Sequence, residues 1–389
     1  MSINIHKDVK IISDEIISTR RDIHKHPEMG FNVHRTAELV ANRLNDLGLD
    51  VQTGVGKTGV VADLNSGHGP TIALRADMDA LPIQETSHCD YKSVHDGIMH
   101  ACGHDGHTAM LLGAAKILAN KKNKIQGTVR FLFQPAEEGD GGATYMIKDG
   151  CLDGVDEIYG IHLWNYQKYG EVGVKEGSIL AAADEFQIII KGVGGHGAAP
   201  QGTVDSVVVS AHLITALQTI VSRNTNPLES TVVSIGMING GYNFNIIADE
   251  VKLKGTARSY TEENRQLIKS RMNEIITGMG QSFNAEIILE YRNGYPPTVN
   301  DSGIVNKLMK SARKIVSEGV GSPYLSMGGE DFSYYAQEIP GCFFFVGSAP
   351  EDQPFRSVPH HCSHFDIDER ALSVGASIFV QLIEDQLML

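Results

Sequence analysis

The chain has no long hydrophobic run. Although 42% of its 389 residues are hydrophobic, no uninterrupted apolar stretch approaches the roughly 18 residues that cross a bilayer. The N-terminal stretch MSINIHKDVKIISDEIISTRRDIHKHPEMG is scattered with charges and lacks the apolar segment of a secretory signal. These absences lead to the expectation of a cytoplasmic protein with no membrane partner. Basic residues are in deficit, with 33 Lys and Arg against 47 Asp and Glu and a formal charge of −14. That balance excludes the basic face that nucleic-acid phosphates require. Low-complexity tracts are missing, and cysteines number five, at 89, 102, 151, 342 and 362. In such a chain they are expected as thiols rather than disulfides, open to a metal or catalytic role.

What the chain does contain is a regular alternation. At roughly 150 residues per domain, its length points to more than one domain. Apolar spacing over 8–26 and 34–47 predicts amphipathic helices. Strands are expected at TGVVADL (58–64), PTIALRADMDALP (70–82), GTVRFLFQPAEEG (127–139) and DEIYGIHLWN (156–165), with a small-residue helix over 106–121. Strands alternating with helices predict an α/β sandwich, whose chemistry collects where strands end. Near residue 183 the character changes to a strand–helix–strand–strand–helix–strand order that ends near 296, the pattern of a small α+β unit. The expected organisation is a discontinuous α/β catalytic domain, 1–183 and 297–389, interrupted by an α+β (ferredoxin-like) domain, 184–296.

Chemistry-bearing residues are concentrated in a few places. The stretch MHACGHDGHTAM, Met99–Met110, holds three histidines, a cysteine and an aspartate. Cys102 and His104, separated by a permissive glycine, offer a thiolate and an imidazole to a transition metal. The strand-end pair Glu137 and Glu138 points two ways from extended backbone, so one can ligate while the other faces the metal's water. The plain alternative is a solvated acidic turn. His162 is a lone imidazole at another strand end, and VPHHCSHFDIDE (358–369) adds three histidines before the last helix.

Seven segments, RADMDALP, MHACGHDGHTAM, FLFQPAEEG, GIHLWN, GGHGAAP, MGGEDFSYY and HHCSHFDIDE, follow the order of the M20 metallopeptidase superfamily. The chain resembles its amidohydrolase branch of hippurate hydrolases, N-acyl-amino-acid deacylases and N-acetyldiaminopimelate deacetylases. The resemblance implies two divalent ions (Zn, Mn or Co, with Ni as a further option) held by Cys102, His104, Glu138, His162 and His361. Glu137 is then the general base, and Asp77 or Asp79 the supporting carboxylate. Ser363 stands where the branch usually has proline, and His360 and His364 flank the C-terminal ligand. His107 is read as packed or hydrogen-bonded at the helix start, and Asp105 as a cap or a partner to a ligand. The resemblance also implies that His196 reaches a partner's site to stabilise an oxyanion, and that Asn245 and Arg258 bind the substrate's carbonyl and carboxylate. Ala248 replaces a common proline beside Asn245. The implied substrate is a small N-acyl amino acid and the implied assembly a homodimer, or a tetramer, through the inserted domain. Two other readings remain open: Cys102 as a nucleophile activated by His104 or His107, and a non-catalytic metal-binding protein.

Overall fold

The computed structural model describes residues 2–388. In chain order its elements are α1 (Lys7–Ile11), α2 (Ser13–Lys25), α3 (His34–Asp46), β1 (Asp50–Val55), β2 (Gly59–Asn65), β3 (Thr71–Asp77), α4 (His104–Ala119), β4 (Thr128–Gln134), α5 (Gly142–Lys148), β5 (Glu157–Lys168), β6 (Val172–Gly173), β7 (Gly177–Leu180) and β8 (Ala182–Lys191). Then follow β9 (Gly195–His196), α6 (Ser206–Thr219), β10 (Thr231–Gly240), β11 (Ile246–Ile247), β12 (Glu250–Ser259), α7 (Glu262–Phe283), β13 (Glu286–Tyr295), β14 (Thr298–Asn300), α8 (Ser302–Ile315), β15 (Val320–Gly321), α9 (Phe332–Glu338), β16 (Gly341–Ala349) and α10 (Arg370–Leu387). Two compact units result. One comprises the chain up to Ile179, Val299–Leu325 and everything from Asp331 onward; the other comprises Leu180–Thr298 with Ser326–Glu330.

The first unit is built on a mixed eight-stranded sheet, order β1-β2-β4-β3-β5-β16-β6-β15, with β4, β3, β5 and β16 parallel to their neighbours in that run. Strands buried on both faces carry unbroken apolar runs, and β16 (GCFFFVGSA) is buried at every position. Its three phenylalanines separate by the two-residue period. Phe344 meets Phe379 of α10, while Phe343 meets Phe332 of α9. Helix α4 is buried on nearly all sides, and small residues allow that. A Cβ at Gly106 would lie 2.5 Å from Leu163 Cδ1, and one at Gly113 would lie 2.7 Å from Ile16 Cδ1.

The helix expected over 8–26 is broken. Ile12 leaves the helical path and its N–H turns back to Val9 O. Ile11, whose apolar character extended the sequence pattern, is 80% exposed and adds nothing to the core.

The second unit is a β–α–β–β–α–β arrangement, its antiparallel sheet ordered β10-β12-β8-β13. Phe186, Ile188 and Ile190 of β8 alternate inward and meet Val209, Leu213 and Leu217 of α6 and Ile268, Met272 and Ile276 of α7. Those four-residue helical spacings place one stripe on the sheet. The stretch Ser206–Asn224 is long and apolar enough, by length and composition alone, to cross a membrane; its Val209, Leu213, Leu217 and Ile220 are spent on this core.

One glycine is fixed by its surroundings. A Cβ at Gly142, where α5 begins, would stand 1.7 Å from the Pro135 carbonyl oxygen, so the loop 135–142 folds back on itself only without a side chain there. Gly142→Ala is expected to destabilise the protein by about 1–3 kcal/mol, read as a lowered thermal midpoint in calorimetry. An unchanged midpoint would show that the loop yields.

Candidate metal centre

The carboxyl ends of neighbouring parallel strands are where the polar side chains of the first unit converge, as expected for open α/β sheets. β3 ends in Asp77 and leads to Asp79; β4 ends in Gln134 and leads to Glu137 and Glu138; β5 carries His162; and α4 starts at His104, just after Cys102. Gly103 takes a left-handed φ of 96° at the helix start. Two non-glycine residues do the same in the loops around the site, Ala136 at φ 59° and His361 at φ 63°.

Among the groups of ligand atoms that lie mutually within 4.8 Å are Cys102 with His104 and His162, Cys102 with Glu138 and His361, His104 with Glu137 and Glu138, and Asp77 with His104 and His107. Cys102 Sγ is 3.5 Å from His162 Nε2, and His361 Nε2 is 3.4 Å from Glu138 Oε1. His104 Nε2 faces Glu138 Oε1 at 3.8 Å and Glu137 Oε2 at 4.0 Å. Of the three C-terminal histidines, His361 alone joins such a group. His360 is instead used on the backbone, its Nε2 accepting the Asn165 N–H at 3.1 Å, and burial pushes it down to about 3. His364 is exposed and nearest to the Ser357 carbonyl.

These residues fit a divalent metal. Both ring nitrogens of His104 and Oε1 of Glu138 are buried without a hydrogen-bond partner among the described residues, a costly state that a cation would relieve. Sulfur, imidazole nitrogen and carboxylate together suit zinc and its neighbours in the first transition row. His162 Nδ1–H donates to the Leu163 carbonyl at 2.5 Å, which leaves Nε2 as the lone-pair atom facing Cys102. Burial, then His107 and His360, push His162 well below the usual imidazole range, so it is neutral. Burial, which opposes charge on His104, is outweighed by Asp77, Asp79 and Glu138, and its pKa rises to about 10. The Cys102 thiol is pushed well up by burial, then by Glu138 and Glu137.

The two aspartates of RADMDALP part company here. Asp79 accepts the backbone N–H groups of Glu137 and Glu138, both at 3.0 Å, and approaches His104 Nδ1 at 3.4 Å. It therefore braces the turn that presents both glutamates. Asp77 accepts from Arg75 at 2.6 Å and from His107 Nδ1–H at 2.6 Å. His107 Nε2 in turn accepts the Leu163 N–H at 2.8 Å, which steadies the strand beside His162. With both ring nitrogens engaged, His107 stands behind the site. Asp105, read as a cap or a partner to a ligand, is fully buried and bonds Arg20 and His24.

Sequence reasoning passed over Arg75, Gln134 and Asp331. Fully buried Arg75 binds Gln134, Asp77 and Asp331, and Asp331 also accepts from Gln134 Nε2 and the Ala143 N–H. The signal lay in segments already singled out. Arg75 and Asp77 share one face of a strand by the two-residue period, and Asp331 sits in MGGEDFSYY.

His196, Asn245 and Arg258 lie in the second unit. His196 and Ile246 pair across a two-stranded ribbon, where the Asn245 carbonyl accepts the Gly197 N–H. Arg258 is on β12, donating to the carbonyls of Asp184 and Ala257.

A family model for peptidase family M20/M25/M40 matches residues 73–385. The chain is 40% identical to an N-acetyl-L-cysteine deacetylase of Bacillus subtilis, over 96% of this chain and 88% of the relative. It is also 40% identical to the IAA-amino acid hydrolase ILR1-like 4 of Arabidopsis thaliana, over 95% and 85% of the two chains. Among solved structures it is similar to a dinuclear metal-binding M20-family peptidase of Bacillus subtilis, with a TM-score of 0.84, 34% identity and coverage of 96% and 98%.

Two outcomes follow from the geometry. Asp79→Ala strips two buried backbone donors of their acceptor, at about 1–3 kcal/mol each. A lowered thermal midpoint and roughly 10–100-fold weaker metal binding are expected in melting and titration experiments. Glu85 belongs to the network behind the site. Burial there is outweighed by hydrogen bonds from His24, Ser87 and the Ser93 N–H, which hold it down to about 2, against 4.5 unperturbed. Its stabilising contribution is complete above pH 4.5 and is lost as pH falls towards about 2. Thermal midpoints measured over that window should fall less steeply in Glu85→Gln than in the wild type.

Proposed function

The chain belongs to peptidase family M20/M25/M40 and is a metal-dependent amidohydrolase, and we propose that it cleaves the amide bond of N-acyl or N-aroyl amino acids with Glu137 as general base. Cys102, His104, Glu138, His162 and His361 would hold two divalent ions, zinc, manganese, cobalt or nickel. When bound, such ions lower the pKa of a water molecule and polarise the scissile carbonyl. The observation that carries this reading is the pair of triads sharing Cys102, with Glu137 beside them and in neither. The relatives that deacetylate N-acetyl-L-cysteine and hydrolyse IAA-amino acids support the substrate class.

Glu137 takes a proton from the attacking water and returns it to the departing amine, while Asp79 holds its backbone in place. The domain 184–296 serves as lid and dimerisation domain, and through it His196 reaches the active site of a second copy. Its Nδ1 accepts the Ala198 N–H at 3.0 Å, which leaves the N–H on Nε2, as a donor to the substrate oxyanion must have it. Asn245 binds the substrate's carbonyl, and Arg258 takes its carboxylate through a planar fork.

The reading of Cys102 as a nucleophile is disfavoured by its surroundings. Of the two rings named as activators, His107 has both nitrogens engaged by Asp77 and the Leu163 N–H, and burial, then Glu138 and Glu137, push the thiol well up although His104 lies within 4.8 Å of it.

The test is a panel of N-acetyl and N-benzoyl amino acids given to protein stripped by chelation and then reloaded with Zn²⁺, Mn²⁺ or Co²⁺. Turnover is expected only after reloading. Glu137→Gln should keep its metal and lose about 10²–10⁴-fold in kcat. Undiminished turnover by that variant would remove Glu137 from catalysis.

A further inference from the structure

One buried arginine behind the site connects two pieces of chain that carry expected ligands. Arg20 of α2 is fully buried. Its Nε donates to Asp105 Oδ2 at 2.7 Å, its Nη2 to Asp366 Oδ1 at 3.1 Å and its Nη1 to Glu369 Oε1 at 3.3 Å. Asp105 follows His104 directly in α4, while Asp366 and Glu369 belong to the segment that leads from His361 into α10. Tyr91 completes the assembly, its hydroxyl donating to Asp366 Oδ2 at 2.9 Å and its ring lying 4.8 Å from the Arg20 guanidinium carbon.

His361 needs such support more than the other expected ligands do. Among the five it alone is exposed, and its φ of 63° is one that a residue with a side chain adopts only when its surroundings impose it. Two backbone bonds help, His361 N–H to Ala101 O at 2.8 Å and Thr86 N–H to Ser363 O at 2.7 Å. Neither reaches the far side of the segment, where Asn165 Nδ2–H donates to the Asp366 carbonyl at 2.8 Å while Arg20 and Tyr91 hold its carboxylate.

Burying a guanidinium with its carboxylates is a poor route to stability, because desolvation consumes most of the attraction. What a planar fork with fixed donor directions does supply is a set distance between the groups it joins. We propose that Arg20 is a positioning residue for the ion position formed by Cys102, Glu138 and His361. By holding Asp105 and Asp366 together it keeps His361 within reach of its two partners. Breaking the clamp weakens that position and spares the one formed by Cys102, His104 and His162. This rests on the two-ion reading above.

The experiment titrates chelator-stripped protein with Co²⁺, reading stoichiometry by calorimetry and the thiolate-to-cobalt charge-transfer band by absorption. The wild type is expected to bind two ions. Arg20→Met should bind the first as the wild type does, with the band intact, and the second at least about tenfold more weakly. Asp366→Ala cuts one arm at a partly exposed residue while leaving the Arg20–Asp105 pair, and the same result is expected from it. It decides the matter if Arg20→Met does not fold. Asp366→Ala protein that binds both ions with wild-type affinity, or that loses both, overturns the role of Arg20. A wild type that binds a single ion overturns instead the two-ion reading on which that role rests.

Discussion

The arrangement around the site depends on the cost of crowding negative charge away from water. Asp77, Asp79, Glu137 and Asp331 are buried at the ends of β3 and β4 or packed against them, with Glu138 alongside. At low effective dielectric, carboxylates at such spacing repel strongly. Arg75, standing between Asp77 and Asp331, offsets part of that. Burial still pushes Asp331 up to about 6 and raises Asp79 as well. The excess that remains is gathered around His104, Cys102 and Glu138, where a divalent cation has the most to gain. The central strands must be apolar on both faces so that this one end can be polar.

Much of the design was legible because its parts obey short periods. The inward alternation in β8, the heptad-like stripes of α6 and α7, and the parallel apolar strands of the first unit follow from residues two or four apart. So does the α/β architecture. The ligand candidates were legible for a different reason: thiol, imidazole and paired carboxylates cluster at strand ends, where a core gives no reason for them. The three histidines at 360, 361 and 364 could not be ranked that way. Their separation depends on an Asn165 N–H and a left-handed turn, both of which arise only when distant segments meet. Arg20 was invisible for the same reason, since an arginine in a helix reads as a surface charge until its partners arrive. The break at Ile12 was missed because an exposed isoleucine imitates a core position.

Asp77 and Asp79 illustrate how little separation is needed for two roles. They stand two residues apart, at and just past one strand end, yet one carboxylate is consumed by Arg75 and His107 and the other by the backbone of the glutamate turn. What each does is decided by which segment it meets. His107 shows the same logic from the imidazole side. Its place among the candidate ligands is outweighed by two good hydrogen bonds, and its effect passes to His162 through the main chain.

The left-handed turns at Ala136 and His361 have a consequence beyond local geometry. Each is a conformation that an isolated chain avoids, at a cost on the order of 1–3 kcal/mol, and each sits in a segment that presents a glutamate or a histidine. The peptides carrying these side chains therefore have no preference of their own for the shape they adopt. Excised or grafted onto another scaffold, they would relax into ordinary extended or helical backbone and their side chains would diverge. The cluster of side chains is a property of the whole first unit and is not portable.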